Sequence, residues 1–134
     1  MINNIVGAEC LSGKYILYAE DNAVVSSVTV KVLNKFKMDV QHVENGQEAL
    51  EIYYNHGNEF DLVILDVMMP HKNGFEVATN ILEDNPDTKI LLCSGYYKAT
   101  DDEADIVVKT KGFLQKPYSC QKFISTLIEI FDES

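Results

Sequence analysis

Paired cysteine motifs are absent from this sequence. Its three cysteines, Cys10, Cys93 and Cys120, are odd in number and far apart, and no CxxC or CxxH spacing occurs. Neither a disulfide framework nor a zinc site is therefore supported. Nucleotide-binding motifs are missing as well, since the chain contains neither GxGxxG nor a P-loop sequence.

Long hydrophobic runs are also missing. No apolar stretch approaches the ~20 residues of a membrane-spanning helix, and residues 1–13 lack the basic start and long apolar centre of a signal peptide. Positive charge is scarce: 11 Lys+Arg stand against 21 Asp+Glu, a formal net charge of −10. A nucleic-acid surface needs a basic face. We therefore predict a cytoplasmic protein with no membrane insertion and no nucleic-acid binding, whose partners are proteins or cations.

The chain does contain a regular alternation of two patterns. Short apolar runs, typical of strands buried in a parallel sheet, alternate with segments whose apolar residues recur at helical spacing. The predicted strands are 15–19, 39–43, 62–65, 89–94 and 112–115, and a helical segment follows each of them. Five βα units with short connections predict an α/β fold, with an open parallel sheet and helices on both faces.

Three segments carry more specific expectations. Residues 1–13 are interrupted by Asn, Gly and Ser, so we predict a tail or linker there and a single domain over residues 14–134. In the first helix, the apolar spacing predicts a buried face made of Val25, Val28, Val32 and Phe36. Residues 98–110 combine acidic with β-branched residues, which predicts a short or frayed helix.

Polar side chains follow four of the five predicted strands, at the point where each strand ends. They are Glu20 with Asp21, then Asp66, Ser94 and Lys116. Taken singly, each has an ordinary structural role, such as ending a strand, starting a helix or lying on the surface. In a parallel sheet, however, the carboxyl ends of the strands share one edge, and ligands bind there. The joint placement therefore predicts one pocket.

The residue types in this pocket point to phosphoryl chemistry. Three carboxylates close together repel one another, and Mg²⁺ suits one or two carboxylates together with waters and a phosphate. A carboxylate beside Mg²⁺ can act as a nucleophile toward phosphorus and form an aspartyl-phosphate. The ammonium of Lys116 and the hydroxyl of Ser94 are groups that stabilise phosphoryl oxygens. The residues therefore predict phosphoryl transfer to a carboxylate.

The motifs at these strand ends resemble those of the receiver domain of two-component response regulators. The matching pieces are Glu20-Asp21, Asp66 within Leu-Asp-Val-Met-Met-Pro, Gly74, Ser94-Gly95, and Lys116-Pro117 after Gly112-Phe113. The set is specific in combination, and the resemblance extends from about residue 14 to residue 131. It implies a (βα)5 doubly wound, flavodoxin-like fold, with a parallel five-stranded sheet of order 2-1-3-4-5 and helices on both faces.

Position by position, the resemblance implies a phosphoacceptor and a metal site. Asp66 would accept the phosphoryl group. Asp21, Asp66 and the backbone carbonyl of Met68 would hold Mg²⁺, with Glu20 acting directly or through water. The use of Glu at position 20 departs from the usual Asp but is frequent within the family.

The resemblance also implies roles for residues on the last two strands. Ser94, in place of the commoner Thr, and Lys116 would contact the phosphoryl oxygens. Phe113 would occupy an aromatic switch position and pack inward when Ser94 moves to the phosphate. The Lys116–Pro117 bond would be a cis peptide, which proline permits at modest cost.

The predicted function is a phosphoaccepting receiver module of a two-component phosphorelay. A histidine kinase or a histidine-phosphotransfer protein would donate the phosphoryl group, and the switched surface would bind a downstream protein that the sequence does not identify. We expect no enzyme activity beyond slow self-dephosphorylation. The alternative is a Mg²⁺-dependent phosphatase of another doubly wound family that uses an Asp nucleophile. Such an enzyme needs an acid two residues after the nucleophile, where this chain has Met68.

Two forms of the whole protein are expected. The receiver either stands alone or belongs to a larger protein such as a hybrid histidine kinase. The stretches around Ser94 and over residues 112–118 are similar to those of hybrid-kinase receivers, which favours the second form slightly. No DNA-binding domain follows Phe131, so a two-domain transcription factor is not expected.

Overall fold

The computed structural model describes residues 6–95 and 100–132. Within them, one parallel sheet is formed by β1 (Tyr15–Ala19), β2 (Asp39–Val43), β3 (Leu62–Asp66), β4 (Ile90–Ser94) and β5 (Gly112–Gln115). The strand order is β2-β1-β3-β4-β5, which confirms the predicted doubly wound topology. Every residue of β3 and β4 is buried, because both faces of these inner strands are covered.

The helices that cover the sheet are α1 (Ala23–Lys35), α2 (Gly46–His56), α3 (Gly74–Asp84), α4 (Asp101–Lys109) and α5 (Cys120–Asp132). Helices α1 and α5 share one apolar cluster, which includes Leu33 and Leu127. Helices α2 and α3 share a second cluster, which includes Leu50 and Ile81. The two clusters contain different residues of the strands, so helices lie on both faces as predicted. None of the described helices is long and apolar enough to cross a membrane.

Side-chain caps fix the starts of several helices. The side chain of Asn22 accepts two hydrogen bonds from amides in the first turn of α1. Reciprocal capping boxes start α3, through Asn73 and Glu76, and α4, through Thr100 and Glu103. Each of these caps contributes about 1 kcal/mol to stability. Because the caps come soon after strand ends, they hold the helix starts close to one edge of the sheet.

The predicted buried face of α1 is wrong in part. Val28 is 53% exposed, and the buried residues of the helix are Ser26, Thr29, Val32 and Leu33. Ser26 tolerates burial because its hydroxyl donates a hydrogen bond to the carbonyl of Ala23 at 3.2 Å. Apolar spacing could not reveal this arrangement, since a hydroxyl residue that bonds to its own helix can face the core while a valine stays outside.

The short helix predicted within residues 98–110 is confirmed for the described part. α4 has nine residues, none of them buried. Ile106 and Val107 pack half-buried against the second cluster, whereas Val108 is 82% exposed. Residues 98 and 99 lie outside the described residues.

The segment before β1 is joined to the core in its described part. Ala8–Leu11 forms a 3-10 turn against α5, and Leu11 is completely buried in the cluster that α1 and α5 share. The amide of Gly13 donates to the carbonyl of Lys37 at 2.8 Å, which connects this segment to the end of α1. The domain boundary at residue 14 stays a prediction, but the side chain of Leu11 already belongs to the core.

Replacing Leu11 with alanine should therefore destabilise the domain. Deleting a completely buried leucine side chain typically lowers the free energy of unfolding by about 2–5 kcal/mol. Urea unfolding followed by circular dichroism measures the change. Val6→Ala is the control, because Val6 is 93% exposed and its truncation should change the free energy very little. Equal unfolding midpoints for Leu11→Ala and Val6→Ala would show that the segment is not part of the core.

Candidate functional site

Three carboxylates meet at the carboxyl edge of the sheet. Asp66 is the last residue of β3 and is only 6% exposed, while Glu20 directly follows β1 and is 2% exposed. Asp21 comes next in the chain and is exposed. One carboxylate oxygen from each of the three lies within 4.8 Å of the others. The structure therefore brings the predicted acidic residues together because neighbouring parallel strands β1 and β3 end side by side.

Lys116 reaches into this cluster from the end of β5. Its Nζ donates to Oε1 of Glu20 at 2.7 Å and to Oδ1 of Asp66 at 3.2 Å. The second oxygen of Glu20 accepts a hydrogen bond from the amide of Asn22 at 3.2 Å. Both oxygens of Glu20 thus have partners, one on the opposite side of the pocket and one at the start of α1.

The protonation behaviour of the cluster follows from burial and charge. Burial raises the pKa of Asp66, and the neighbouring Glu20 raises it further, whereas the ammonium of Lys116 lowers it; the net result is a pKa of about 6. For Lys116, burial alone would lower the pKa, but its contacts with Glu20 and Asp66 outweigh burial and raise the pKa. The ammonium is therefore held charged beside a carboxyl group that resists ionisation.

Ser94, at the end of β4, places a hydroxyl group at the same edge. It is 1% exposed, and its Oγ has no hydrogen-bond partner among the described residues. Its carbonyl accepts a hydrogen bond from the amide of Lys116 at 2.7 Å, which ties the two strand ends together. A buried hydroxyl without a partner is costly, and this one is available to form a hydrogen bond with a ligand.

The other residues of the last two strands lie as follows. Phe113 on β5 is 36% exposed, so its ring is outside the core in this structure. The Lys116–Pro117 peptide bond is cis, the isomer that the resemblance implies. In the parallel pairing of β4 with β5, Ser94 lies opposite Gln115 and Phe113 lies opposite Leu92. Phe113 is therefore two residues before the strand end that Ser94 and Lys116 share.

Met68, two residues after Asp66, begins the turn away from the sheet and is 64% exposed. The amide of Val67 still donates to the carbonyl of Cys93 at 2.8 Å, so the pairing of β3 with β4 continues up to this point. Gly74 allows α3 to return close to the strand: a Cβ atom there would lie 2.6 Å from the carbonyl oxygen of Asp66. The residues around the acidic cluster are thereby held close to β3.

The donor set fits a hard divalent cation. Carboxylate oxygens from Glu20, Asp21 and Asp66 lie close enough to bind one ion, and these are the ligands that Mg²⁺ and Ca²⁺ prefer. Asp21 is exposed, which leaves an open side for waters or a phosphate. The cluster can therefore hold a metal ion.

One neighbour of the cluster was missed from the sequence, because β2 was expected to contribute nothing comparable. Nε2 of His42, on β2, lies 2.8 Å from the backbone carbonyl of Glu20. A carbonyl oxygen can only accept, so Nε2 carries the proton in this hydrogen bond. No signal in the sequence identified His42, since the contact depends on the register of β1 with β2.

A largely apolar groove of about 660 Å³ opens beside the cluster, between α1 and the residues that follow β5. Its lining includes Val28 from α1, Tyr118 from the segment before α5, and also Gly95 and Lys116. Val24 belongs to the same lining and is 75% exposed. Val25 and Val28, which were expected to face the core, thus line a groove that also includes Lys116 of the pocket.

Asp66→Asn should stabilise the metal-free domain at pH 7.5. Because the pKa of Asp66 is raised to about 6, against about 3.9 in an unfolded chain, the folded state binds this proton more tightly. The stability that the proton provides is present below about pH 4 and is lost as the pH rises through 6. We expect a gain on the order of 1–3 kcal/mol in the free energy of unfolding at pH 7.5, and little gain at pH 4.

Urea unfolding at both pH values in a chelating buffer measures this difference. Asp87→Asn is the matched control, because it neutralises an exposed carboxylate outside the cluster and should lack the gain. A loss of stability for Asp66→Asn at pH 7.5 would contradict the expected cost of burying this charge.

Comparisons with known proteins agree with this geometry. A model of the response regulator receiver domain family matches residues 16–128. The chain is 32% identical over 121 residues to the sensor kinase CckA of Brucella abortus, covering 88% of this chain. It is 27% identical over 119 residues to the chemotaxis protein CheY of Thermotoga maritima, again over 88% of this chain.

The fold is also shared with solved structures. A chain of the CheX–CheY–BeF3–Mg²⁺ complex from Borrelia burgdorferi superposes with a TM-score of 0.80 at 23% identity, covering 90% of each chain. The present chain spans only 12% of the length of CckA but 98% of CheY. Relatives thus include both sensor kinases and separate response regulators. The chain belongs to the response regulator receiver domain family, whose members are the phosphoacceptor modules of two-component systems.

Proposed function

We propose that Asp66 is the phosphoacceptor and that Lys116 and Ser94 bind the phosphoryl oxygens. The observation that carries this proposal is the pocket around Asp66: a buried carboxylate with the ammonium of Lys116 at 3.2 Å and the unpartnered hydroxyl of Ser94 at the same edge. A positive charge and a free donor beside a nucleophile are what a transferring phosphoryl group requires.

In the proposed reaction, a carboxylate oxygen of Asp66 attacks phosphorus and the P–N bond to the donor's histidine breaks. The electron pair of that bond returns to the imidazole, and the phosphoryl group becomes an acyl phosphate on Asp66. Lys116 moves from the carboxylate to a phosphoryl oxygen, and the hydroxyl of Ser94 donates to another. Both groups neutralise charge that would otherwise accumulate in a buried site.

The metal in this proposal is Mg²⁺, held by Asp21, Asp66 and the backbone carbonyl of Met68, with Glu20 acting directly or through water. When bound, it would neutralise negative charge on the carboxylates and the phosphoryl group. The oxygen-only donor set and the open side at Asp21 support this choice. The Borrelia complex of similar fold contains Mg²⁺.

We further propose that Ser94 and Phe113 form the switch. Among the described residues no hydrogen bond holds the hydroxyl of Ser94 in place, and the ring of Phe113 is partly exposed. If Ser94 turns toward the phosphoryl group, space opens behind it for the ring of Phe113. Phe113 has no hydroxyl, so the new position would be stabilised by packing alone.

The signalling setting is also part of this proposal. The donor is a histidine kinase or a histidine-phosphotransfer protein, and the three free cysteines are typical of the reducing cytoplasm. The module binds a downstream protein but no nucleic acid, in keeping with its net charge of −10. It is not an enzyme beyond slow self-dephosphorylation. Nothing favours the alternative phosphatase, because Met68 stands where a leaving-group acid would be needed.

Labelling with a small phosphodonor tests the acceptor. Incubation with acetyl phosphate and Mg²⁺ should add one phosphoryl group to the wild-type chain, and peptide mapping should place it on Asp66. Asp66→Ala should abolish the label, while Asp87→Ala, at an exposed site outside the cluster, should retain it. Labelling that survives Asp66→Ala would exclude Asp66 as the acceptor.

The groove beside the pocket suggests where the donor protein sits. A phosphohistidine must come within bonding distance of Asp66, so the donor's surface around that histidine has to cover the neighbouring residues. The groove between α1 and the residues after β5 offers exposed valines and includes Lys116 itself. We propose that an apolar surface of the histidine-bearing donor occupies it.

Val24→Glu and Val28→Glu should therefore slow transfer from a protein donor. We expect at least a tenfold lower transfer rate, as for central interface residues, using whichever kinase in a panel phosphorylates the wild type fastest. Labelling by acetyl phosphate should be unchanged, because the small donor needs no docking surface. Val108→Glu, an equal change on α4 at 82% exposure, is the control; if it slows transfer as much, the groove is not the specific docking site.

A further inference from the structure

The loop that follows Asp66 has an unusual bent shape. This 67–73 loop carries Met68, whose carbonyl is a proposed Mg²⁺ ligand. The amide of Gly74 donates to the carbonyl of Val67 at 3.0 Å, and that of Lys72 donates to Pro70 at 2.8 Å. His71, inside the second bond, has a φ of 70°, which residues other than glycine seldom adopt. Such a conformation persists only where the surroundings impose it.

Gly46, the first residue of α2, packs against this loop at Lys72, the residue after His71. It is buried, and its backbone lies directly against Lys72. A Cβ atom on Gly46 would overlap the carbonyl oxygen of Lys72 and would lie 2.8 Å from both its carbonyl carbon and its Cβ. Since most of these atoms are backbone, the clash could be relieved only by moving the loop or the helix. Glycine is therefore the one residue that allows this approach.

Two further features make the contact firm. The carbonyl of Lys72 lies beside Gly46 at the start of α2, the end of a helix that carries a partial positive charge. The start of α2 is itself anchored, because Asn45 accepts a hydrogen bond from the amide of Glu48 at 2.9 Å and Glu48 accepts one from the amide of Glu44 at 3.3 Å. A capped, buried helix start is a rigid support for a loop.

We propose that Gly46 is a positioning residue of the metal site. Because Gly46 has no side chain, α2 packs directly against the backbone of Lys72. This contact would hold the 67–73 loop in the conformation in which the carbonyl of Met68 can bind the metal. Gly74 closes the base of the same loop, because it packs against the carbonyl of Asp66. The loop is thus closed at its base and supported by α2 at Lys72, and α2 becomes part of the metal site without contributing a ligand. This inference rests on the proposed binding of Mg²⁺.

Titration of ¹⁵N-labelled protein with MgCl₂, followed by NMR, tests the inference. Gly46→Ala should weaken Mg²⁺ binding roughly tenfold, the usual effect of altering a group that orients a metal ligand. Gly112→Ala is the matched control, because a Cβ there meets only Leu91 Cδ1 at an ordinary 3.5 Å, and its Mg²⁺ affinity should equal that of the wild type. A variant that is merely less stable, but folded, would bind Mg²⁺ as the wild type does.

The wild type provides a second readout that needs no variant. If α2 supports the loop, the amide signals of Gly46 and Lys72 should shift with the same midpoint as that of Met68, while the signal of Gly112 stays in place. This titration decides the matter should Gly46→Ala fail to fold. Unchanged Mg²⁺ affinity in folded Gly46→Ala, or a Gly46 signal that does not respond while Met68 does, would overturn the proposal. A wild type that binds no Mg²⁺ would instead overturn the proposed metal site itself.

Discussion

The pocket depends on the opposition between three carboxylates and one ammonium. Glu20, Asp21 and Asp66 would repel one another if they were left alone in a partly buried site. Lys116 bridges two of them, and its positive charge lowers the cost of keeping them together. The charge that remains is still negative, and carboxylate oxygens so close together are groups that can hold a cation.

The sheet makes this opposition possible. Inner strands β1, β3 and β4 are buried almost throughout, so the groups at their ends cannot retreat from one another without moving the core. A flexible loop would relieve the repulsion by swinging its carboxylate into water. Here apolar packing on both faces of the sheet keeps the strand ends, and so the carboxylates, close together in spite of their repulsion. The pocket is therefore already formed in the absence of a ligand.

Much of this arrangement could be predicted because it depends on short stretches of sequence. An apolar run that ends in a polar residue indicates both a strand and its carboxyl end. Asp66, Ser94 and Lys116 could therefore be predicted to lie at the same edge of the sheet. What escaped prediction depends on contacts between distant segments. His42 bonds to Glu20 only through the pairing of β1 with β2, and Gly46 touches Lys72 across the fold. The outward valines of α1 likewise follow from how the helix rests on the sheet, not from their spacing.

Helix α4 packs on the rest of the domain without burying any residue completely, and this affects how far its sequence can vary. None of its nine residues is buried, and its stability comes from a capping box and a few half-buried contacts. Substitutions at the exposed positions of this helix, such as Val108, therefore leave the core packing unchanged. The outer surface of α4 can therefore vary in sequence while the strand ends that form the acidic cluster stay the same. Packing thus constrains the sequence of the strands that carry the acidic cluster much more than it constrains the outer surface of α4.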